Sequence, residues 1–169
     1  AAGAQVTAVD ASEARLGRLR ANLARLRLSA EVVCADLLDW APPAPVPAVL
    51  LDAPCTATGT IRRHPDLPQV RRPADLPALV ALQARLIDRA AGFLAPGGVL
   101  AFCTCSLLAA EGEAQVDAAL ARNPRLRPVS LALPIGRASG QGWRTRPDDL
   151  DGLGGVDGFF VALLRLDGA

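Results

Sequence analysis

The stretch VLLDAPC, from Val49 to Cys55, decides how this chain is interpreted. Its three apolar residues have the character of a buried strand, and an acid, a proline and a thiol follow within four positions. Small residues come next and lead into a basic segment, Arg62–His64. A strand that only stabilised a core would not need a carboxylate and a thiol at its end, so we expect this end to carry function.

Predicted strands and helices alternate on both sides of this stretch. Apolar residues at helical spacing predict the helices, and short apolar runs between turn residues predict the strands. The alternation indicates one α/β domain over residues 1–169, with a mostly parallel sheet, helices on both faces and a C-terminal antiparallel hairpin. The glycines of APGG (95–98) are expected to end the second helix. The predicted strands are 5–9, 31–34, 49–51, 99–103, 129–133 and 159–166, and the predicted helices are 12–28, 76–94 and 110–122.

Composition excludes several classes of protein. The net charge is only +1, so any contact with nucleic acid must come from a local basic patch. No apolar run reaches the roughly 18 residues that a membrane helix needs. The four cysteines fit neither a disulfide framework nor a zinc-binding spacing. We therefore expect a protein of the reducing cytoplasm, with no membrane partner and no metal. A monomer is also expected.

Three acids and two thiols follow predicted strands, and in such sheets ligands bind beyond the carboxyl ends of the strands. Asp10 could accept hydrogen bonds from the ribose of a nucleoside cofactor, or it could begin a helix together with Glu13. Asp36 could contact an adenine amino group or form a turn. Cysteine is commonly an inert buried residue, so either thiol could be structural. The Cys-x-Cys spacing of Cys103 and Cys105 could suggest a metal site, but the sequence has no second pair of metal ligands to complete it. The strand-end residues are Asp10, Asp36, Asp52, Cys55 and Cys105.

Four stretches of the sequence together resemble the NOL/NOP/Sun family of RNA 5-methylcytosine methyltransferases, and most closely its bacterial RsmB branch. They are VTAVDASEARLGRLRANLARL (6–26), LLDAPCTATGTIRRHPD (50–66), FCTCSLLAAEGEAQV (102–116) and GGVDGFF (154–160). The family has a Rossmann-like fold, uses S-adenosylmethionine and methylates RNA. For this branch the RNA is 16S ribosomal RNA.

The resemblance implies roles for individual residues. Cys105 matches the nucleophile that attacks cytosine C6, and Cys55 matches the second cysteine, which assists release of the product. Asp52 matches the acid that contacts the target cytosine and also borders the cofactor. Asp10 and Asp36 match the acids that hold the ribose and adenine of the cofactor.

The basic segment has an expected role beside the base pocket. A local basic patch that suits contacts with RNA phosphates consists of Arg62, Arg63, Arg71 and Arg72 with His64. Its first two arginines could help to lower the pKa of the nearby thiol. The alternative is a solvated loop that Asp66 partly neutralises.

The resemblance also implies that this chain is the C-terminal part of a catalytic domain. The family's first strand, its glycine-rich cofactor loop and its N-terminal RNA-binding region are expected to precede Ala1. The 169-residue chain alone is therefore expected to bind S-adenosylmethionine weakly. Rival interpretations are an inactive RNA-binding fragment, a transfer RNA methyltransferase and a nucleotide-binding oxidoreductase. The last is disfavoured because no G-x-G-x-x-G follows a predicted strand.

Overall fold

The computed structural model describes residues 3–168, so the predicted domain limits Ala1 and Ala169 lie outside the described residues. The chain divides into two compact units, one up to Pro43 and the other from Ala44. Each unit has its own sheet. The single-domain interpretation stays a prediction. Within residues 3–168, no helix is both long and apolar enough to cross a membrane.

The first unit is a strand–helix–strand element whose two strands pair in parallel. Its helix begins after Ser12, whose hydroxyl accepts a hydrogen bond from the Arg15 N–H. It ends at Leu26, and its C-cap Arg27 adopts a left-handed conformation with φ 53°. These boundaries lie within two residues of the predicted ones. The elements are β1 (Thr7–Asp10), α1 (Glu13–Leu26) and β2 (Glu31–Cys34).

The second unit contains six strands and three helices among the described residues. They are β3 (Val46–Asp52), α2 (Leu67–Val70), α3 (Leu76–Ala91), β4 (Leu94–Thr104), α4 (Glu113–Arg122), β5 (Leu126–Val129), β6 (Arg137–Ser139), β7 (Gly142–Thr145) and β8 (Phe159–Leu166). The strands form one sheet with the order β3-β4-β8-β7-β6, and β5 pairs with β8 beside this path. The long helix α3 contacts β3 and β4, and α4 packs against α3.

The strand pairing is mixed, which corrects the prediction of a mostly parallel sheet. β3 and β4 are parallel neighbours. The other four pairs among the described residues of this unit are antiparallel. A parallel pair needs a long crossover, whereas hairpins and loops connect the strands after β4 and allow the chain to reverse. The α/β class and the C-terminal antiparallel pairing are confirmed, and helices on both faces stay a prediction.

Several local predictions need correction. The APGG segment lies inside β4, because the helix already ends at Ala91 with Gly92 as its C-cap. The fifth strand comes three residues earlier than predicted, at Leu126–Val129. The β6–β7 hairpin, which turns at Gly140 with φ 56°, was not predicted. Its strands are short and polar, so the alternation of apolar residues that marks a strand is weak there.

The core of the second unit includes the carboxyl half of β4, which leads directly to Cys105. Phe102 on β4 and Phe160 on β8 are both fully buried, with ring centroids 6.4 Å apart in an edge-to-face arrangement. On β3, Leu51 is buried but Leu50 is 75% exposed, which corrects the expectation of a fully buried run. Successive side chains of a strand point to opposite faces, and the fold of this unit covers one of those faces at Leu50–Leu51.

Candidate active site

The carboxyl ends of β3 and β4 bring two thiols together. These strands are parallel neighbours with Asp52 opposite Cys103, so Cys55 and Cys105 follow at the same edge of the sheet. The Sγ atoms of Cys55 and Cys105 are 3.5 Å apart, within hydrogen-bond distance for sulfur. Cys55 is buried, whereas Cys105 is half-buried and keeps some contact with solvent. The two thiols singled out in the sequence thus form one site.

The two thiols differ in acidity. The hydrogen bond with Cys55 lowers the pKa of Cys105 to about 7, against the opposing effects of burial and of the Asp52 charge. The same hydrogen bond, together with burial, raises the pKa of Cys55. Because the thiolate is the nucleophilic form of cysteine, Cys105 is the thiol that is prepared to attack at neutral pH.

Cys103 lies apart from this chemistry. Burial raises the pKa of its thiol to about 12, and its Sγ donates to the Leu51 carbonyl oxygen at 3.4 Å. In the part of the chain that the structure describes, no group of three or more His, Cys, Asp or Glu side chains is arranged to hold a metal ion. Cys103 is therefore a buried strand residue beside a reactive one.

Asp52 provides an acid at the same edge of the sheet. It is the last residue of β3, and partial burial raises the pKa of its carboxyl group. Its charge also acts on Cys105, since it is one of the effects that raise the pKa of that thiol. The acid and the thiol thus lie close enough to interact electrostatically.

A buried carboxylate that the sequence analysis missed accepts hydrogen bonds from Thr56, the residue that follows Cys55. Glu111 is fully buried, and its Oε1 and Oε2 accept hydrogen bonds from the Thr56 N–H at 3.0 and 3.2 Å. The Thr56 hydroxyl donates to the same carboxylate at 2.5 Å, and Gln83 Nε2 donates at 3.0 Å. Glu111 stands in one of the stretches that carry the family resemblance, but its sequence position gave no sign of what it contacts.

A second set of contacts fixes the backbone around Cys105. The Gly59 N–H donates to the Cys105 carbonyl oxygen at 2.9 Å. The hydroxyl of Ser106 lies 3.3 Å from that of Thr56, and Arg144 Nη1 donates to the Ser106 carbonyl oxygen at 2.6 Å. The loops that carry the two thiols are therefore joined directly by hydrogen bonds.

Arg144 is a further residue that sequence reasoning missed. Its side chain is only 5% exposed and makes a two-pronged pair with Glu113, with N–O distances of 2.9 and 2.7 Å. Burial opposes ionisation of Glu113, but hydrogen bonds from Arg144 and Ser139 outweigh it and lower its pKa. The guanidinium also lies over the Phe160 ring at 5.1 Å. No sequence signal marked Arg144, because it lies on the unpredicted β6–β7 hairpin.

The predicted basic patch is exposed, but Arg62 and Arg63 already have partners. Arg63 Nε donates to Asp157 Oδ2 at 2.6 Å, and Arg62 Nη2 donates to the Gly154 carbonyl oxygen at 2.6 Å. Asp157 is the main cause of the raised pKa of Arg63, and the charge of Cys105 is the smallest cause. The predicted effect of the arginines on the thiol is thus minor beside the hydrogen bond from Cys55. RNA binding by Arg62, Arg63 and His64 stays a prediction.

The GGVDGFF stretch packs against the loop after Cys55. The Gly158 N–H donates to the Gly59 carbonyl oxygen at 2.8 Å. A Cβ atom added to Gly59 would lie only 1.9 Å from the Gly158 carbonyl oxygen. This close approach of two backbones requires glycine.

The predicted cofactor acids lie in the first unit, at the carboxyl ends of adjacent parallel strands. The Asp10 carboxylate accepts hydrogen bonds from Ser12 N–H and from two nitrogens of Arg15, and the Arg15 bonds are the main reason for its lowered pKa. Ser12, rather than Asp10, is the helix cap. Asp36 is exposed and accepts from the Leu38 N–H at 2.9 Å, as in the turn alternative. Both carboxylates retain acceptor sites that suit ribose and adenine donors, so the residues fit the cofactor chemically.

Comparison with known proteins assigns the family. The family model described as 16S rRNA methyltransferase RsmB/F matches residues 1–165. This chain belongs to the RsmB/F family of 16S rRNA methyltransferases. The assignment confirms the predicted resemblance, and S-adenosylmethionine is the cofactor of a methyltransferase of this family, as the sequence analysis expected.

Curated relatives agree with the family model. The ribosomal RNA small subunit methyltransferase B of Pseudomonas putida is 42% identical over 164 residues, which are 95% of this chain and 37% of the relative. The protein of the same name from Serratia proteamaculans is 44% identical, over 95% of this chain and 36% of the relative. The chain thus spans little more than a third of the length of these relatives.

Solved structures support the fold. The structure named PH0851 has a TM-score of 0.84 and 30% identity, over 95% of this chain and 36% of that chain. The structure of NSun6 from Pyrococcus horikoshii with SFG has a TM-score of 0.83 and 28% identity, over 98% of this chain and 42% of that chain. The Rossmann-like methyltransferase fold class is therefore confirmed.

Proposed function

We propose that this chain, within its full-length gene product, methylates carbon 5 of cytosine in RNA through a covalent bond to Cys105. The proposed substrate is 16S ribosomal RNA, because the relatives are named small subunit ribosomal RNA methyltransferases. The observation that carries the proposal is the 3.5 Å contact between Cys55 and Cys105, of which Cys105 has a pKa of about 7. A low-pKa, partly accessible thiol beside a second thiol suits covalent catalysis.

Cys105 has the first chemical role. Its thiolate forms a bond to C6 of cytosine, and the electrons of the C5–C6 double bond move towards C5 and the ring nitrogen N3. C5 thereby becomes nucleophilic enough to accept a methyl group. Asp52 is the acid proposed to face N3, where its raised pKa favours a shared proton and stabilises the developing charge.

Cys55 has the opposite role at the end of the reaction. After the C5 proton leaves to a base, the C5–C6 double bond re-forms and the bond between C6 and the Cys105 sulfur breaks. Because its pKa is raised, Cys55 stays protonated at neutral pH and can donate to the departing sulfur. This donation stabilises the leaving thiolate, which is how Cys55 assists release of the product.

Asp10 and Asp36 are the residues that would hold the cofactor, through hydrogen bonds to its ribose hydroxyls and its adenine amino group. S-adenosylmethionine, when bound, supplies the methyl group as an electrophile. Arg15 is 66% exposed at its side chain, so it can move away when a ribose takes its place at Asp10. The lowered pKa of Asp10 keeps its carboxylate ionised and able to accept such bonds.

Arg62, Arg63 and His64 are proposed to contact phosphates of the RNA. All three are exposed, and the loop that carries them follows Cys55 directly. Asp157 holds the two arginines, which limits their conformational freedom and lowers the entropy lost when a phosphate binds. Their bonds to Asp157 would weaken or shift as the phosphate replaces part of them.

Cysteine variants of the full-length gene product test the proposal. With 16S ribosomal RNA and S-adenosylmethionine, Cys105→Ala should abolish methylation and leave no protein–RNA adduct on a denaturing gel. Cys55→Ala should instead accumulate an adduct, because attack proceeds while release slows. Cys34→Ser, at an exposed thiol of the first unit, controls for the loss of a cysteine as such and should not accumulate the adduct. An adduct that accumulates in Cys105→Ala but not in Cys55→Ala would reverse the roles.

A further inference from the structure

The peptide groups on both sides of Cys55 are bound by buried side chains that the proposed reaction does not use. After Cys55, the Thr56 N–H and hydroxyl both donate to the Glu111 carboxylate. Before it, the Pro54 carbonyl oxygen accepts from Gln83 Nε2 at 2.8 Å. Gln83 and Glu111 are also joined to each other, at 3.0 Å. Cys55 therefore sits in a clamp made of Glu111 and Gln83.

The chemistry of the clamp fixes its orientation. The Gln83 Nε2 group faces two acceptors, the Pro54 carbonyl oxygen and the Glu111 carboxylate, so a flipped amide would place oxygen against oxygen. Its Oε1 atom is buried without a hydrogen-bond partner among the described residues, which is an energetic cost. A fully buried carboxylate is costly as well. Two apolar side chains would stabilise this core at a lower energetic cost, which indicates that Gln83 and Glu111 have a role beyond packing.

The loop also needs to be held, because its backbone is strained. Ala57 has φ 59°, a left-handed conformation that a residue with a Cβ atom seldom adopts. Such a conformation persists only where surrounding contacts enforce it, and it is common at functional sites. The contacts from Glu111 to Thr56 lie immediately before Ala57 and can supply that enforcement.

We propose that Glu111 and Gln83 are positioning residues that hold Cys55 at hydrogen-bond distance from Cys105. The inference rests on the proposed function for its consequence in catalysis, but the geometry that it asserts can be measured without any reaction on RNA. Loss of the clamp lets the Cys55 loop relax, so that the two sulfur atoms separate and Cys55 no longer donates to Cys105.

The proximity of the two thiols can be measured by oxidation with diamide. Diamide takes up the two electrons and two protons that leave the thiols as the Cys55–Cys105 disulfide forms. Peptide mapping by mass spectrometry in the full-length gene product gives the rate of this disulfide alone. We expect Glu111→Ala and Gln83→Ala to slow its formation at least about 10-fold, because displacements near 1 Å have large effects on reactions between positioned groups.

Two variants separate positioning from a general loss of stability. Glu111→Gln keeps an oxygen for the Thr56 N–H and Gln83 and places a donor near the Thr56 hydroxyl, so it should retain most of the wild-type rate. Gln115→Ala is the matched control. Gln115 is a buried glutamine of α4 that donates to the Val80 carbonyl oxygen on α3, the helix that also carries Gln83. No hydrogen bond from its side chain to the Cys55 loop is found among the described residues. Gln115→Ala should change the rate less than about twofold.

Oxidation at the wild-type rate in Glu111→Ala and Gln83→Ala would overturn the inference, as would an equal slowing in Gln115→Ala. Should Glu111→Ala not fold, as judged by circular dichroism, Gln83→Ala decides. On RNA, Glu111→Ala should accumulate the covalent adduct as Cys55→Ala does, while Gln115→Ala should not. Slowed oxidation with no adduct in any variant, Cys55→Ala included, would contradict the proposed function and leave the clamp in place.

Discussion

The two units of this chain carry different kinds of functional residue, and their sheets differ in size and in the extent of the buried core. In the unit up to Pro43, Asp10 and Asp36 stand at the ends of a two-stranded sheet, and Leu16 alone among its described residues is buried. In the unit from Ala44, the thiols stand at the end of a six-stranded sheet with fully buried aromatic residues such as Phe102. Asp10 pairs with the exposed Arg15, whereas Cys105 contacts the buried Cys55.

The difference follows from the task of each group. An acceptor for a hydroxyl needs only an ionised carboxylate at the end of a strand, and the hydrogen bonds from Arg15 keep Asp10 ionised. A nucleophilic thiol needs a tuned pKa and a fixed neighbour, and both require a rigid surrounding. The unit from Ala44 supplies that rigidity through Glu111, Gln83 and Arg144, which together fix the loops of Cys55 and Cys105.

Hydrogen exchange should show the largest contrast between the units. A segment of about 40 residues with so little core is marginal on its own. The amides of β4 and β8 should therefore exchange roughly 1000-fold more slowly than those of β1 and β2, when the chain is followed by mass spectrometry under native conditions. Equal protection of both sheets would mean that the units unfold together, and it would contradict a difference in stability between them.

Removal of an ion pair should have a large effect in one unit and little in the other. Arg144→Ala leaves Glu113 partly buried without its partner and frees the Ser106 carbonyl oxygen, so it should lower the free energy of unfolding by about 3 kcal/mol. Arg15→Ala, in the exposed pair with Asp10, should leave that free energy almost unchanged. Urea unfolding of both variants measures the difference, and similar losses would show that burial does not decide it.

The pH dependence of thiol labelling should give a smaller contrast, within the second unit. The lowered pKa means that the thiolate fraction of Cys105 grows as the pH rises through about 7, so its alkylation by iodoacetamide should rise with that midpoint. Cys103, with a pKa of about 12, should stay unlabelled in the folded protein up to pH values near 9. Cys55→Ala removes the hydrogen bond and should move the Cys105 midpoint upward, towards about 8.5. An unchanged midpoint would show that another group sets the pKa.

The sequence predicted the site residues that end strands and missed those that hold them. Cys55 and Cys105 could be found because parallel neighbours end at one edge of a sheet. Gln83 could not, because its position on α3 fits the helical period of an apolar face and a polar residue there gives no sign of its partner. Glu111 contacts Thr56 from 55 positions away, and such a contact is set by tertiary packing alone.

The same reasons explain the errors in the fold. Strong local patterns predicted β2 and β8 within their observed limits, at Glu31–Cys34 and Phe159–Leu166. The APGG segment carries glycines that commonly end a helix, but here β4 pairs with β3 at Leu94 and again from Val99, so the segment forms an irregularity within the strand. Partners of a strand are chosen across the sheet, so local propensity is overruled there.

Covalent trapping with RNA that contains 5-fluorocytosine at the target position identifies the thiol that attacks the base. The fluorine replaces the C5 hydrogen, and a base cannot remove it as it removes a proton. The thiol that attacks C6 therefore stays attached to the RNA after methyl transfer. Digestion and mass spectrometry of the trapped full-length gene product then identify the attacking residue. The proposed reaction predicts the adduct on Cys105, with Cys55 unmodified. An adduct on Cys55, or methylation of RNA without any trapped protein, would contradict it.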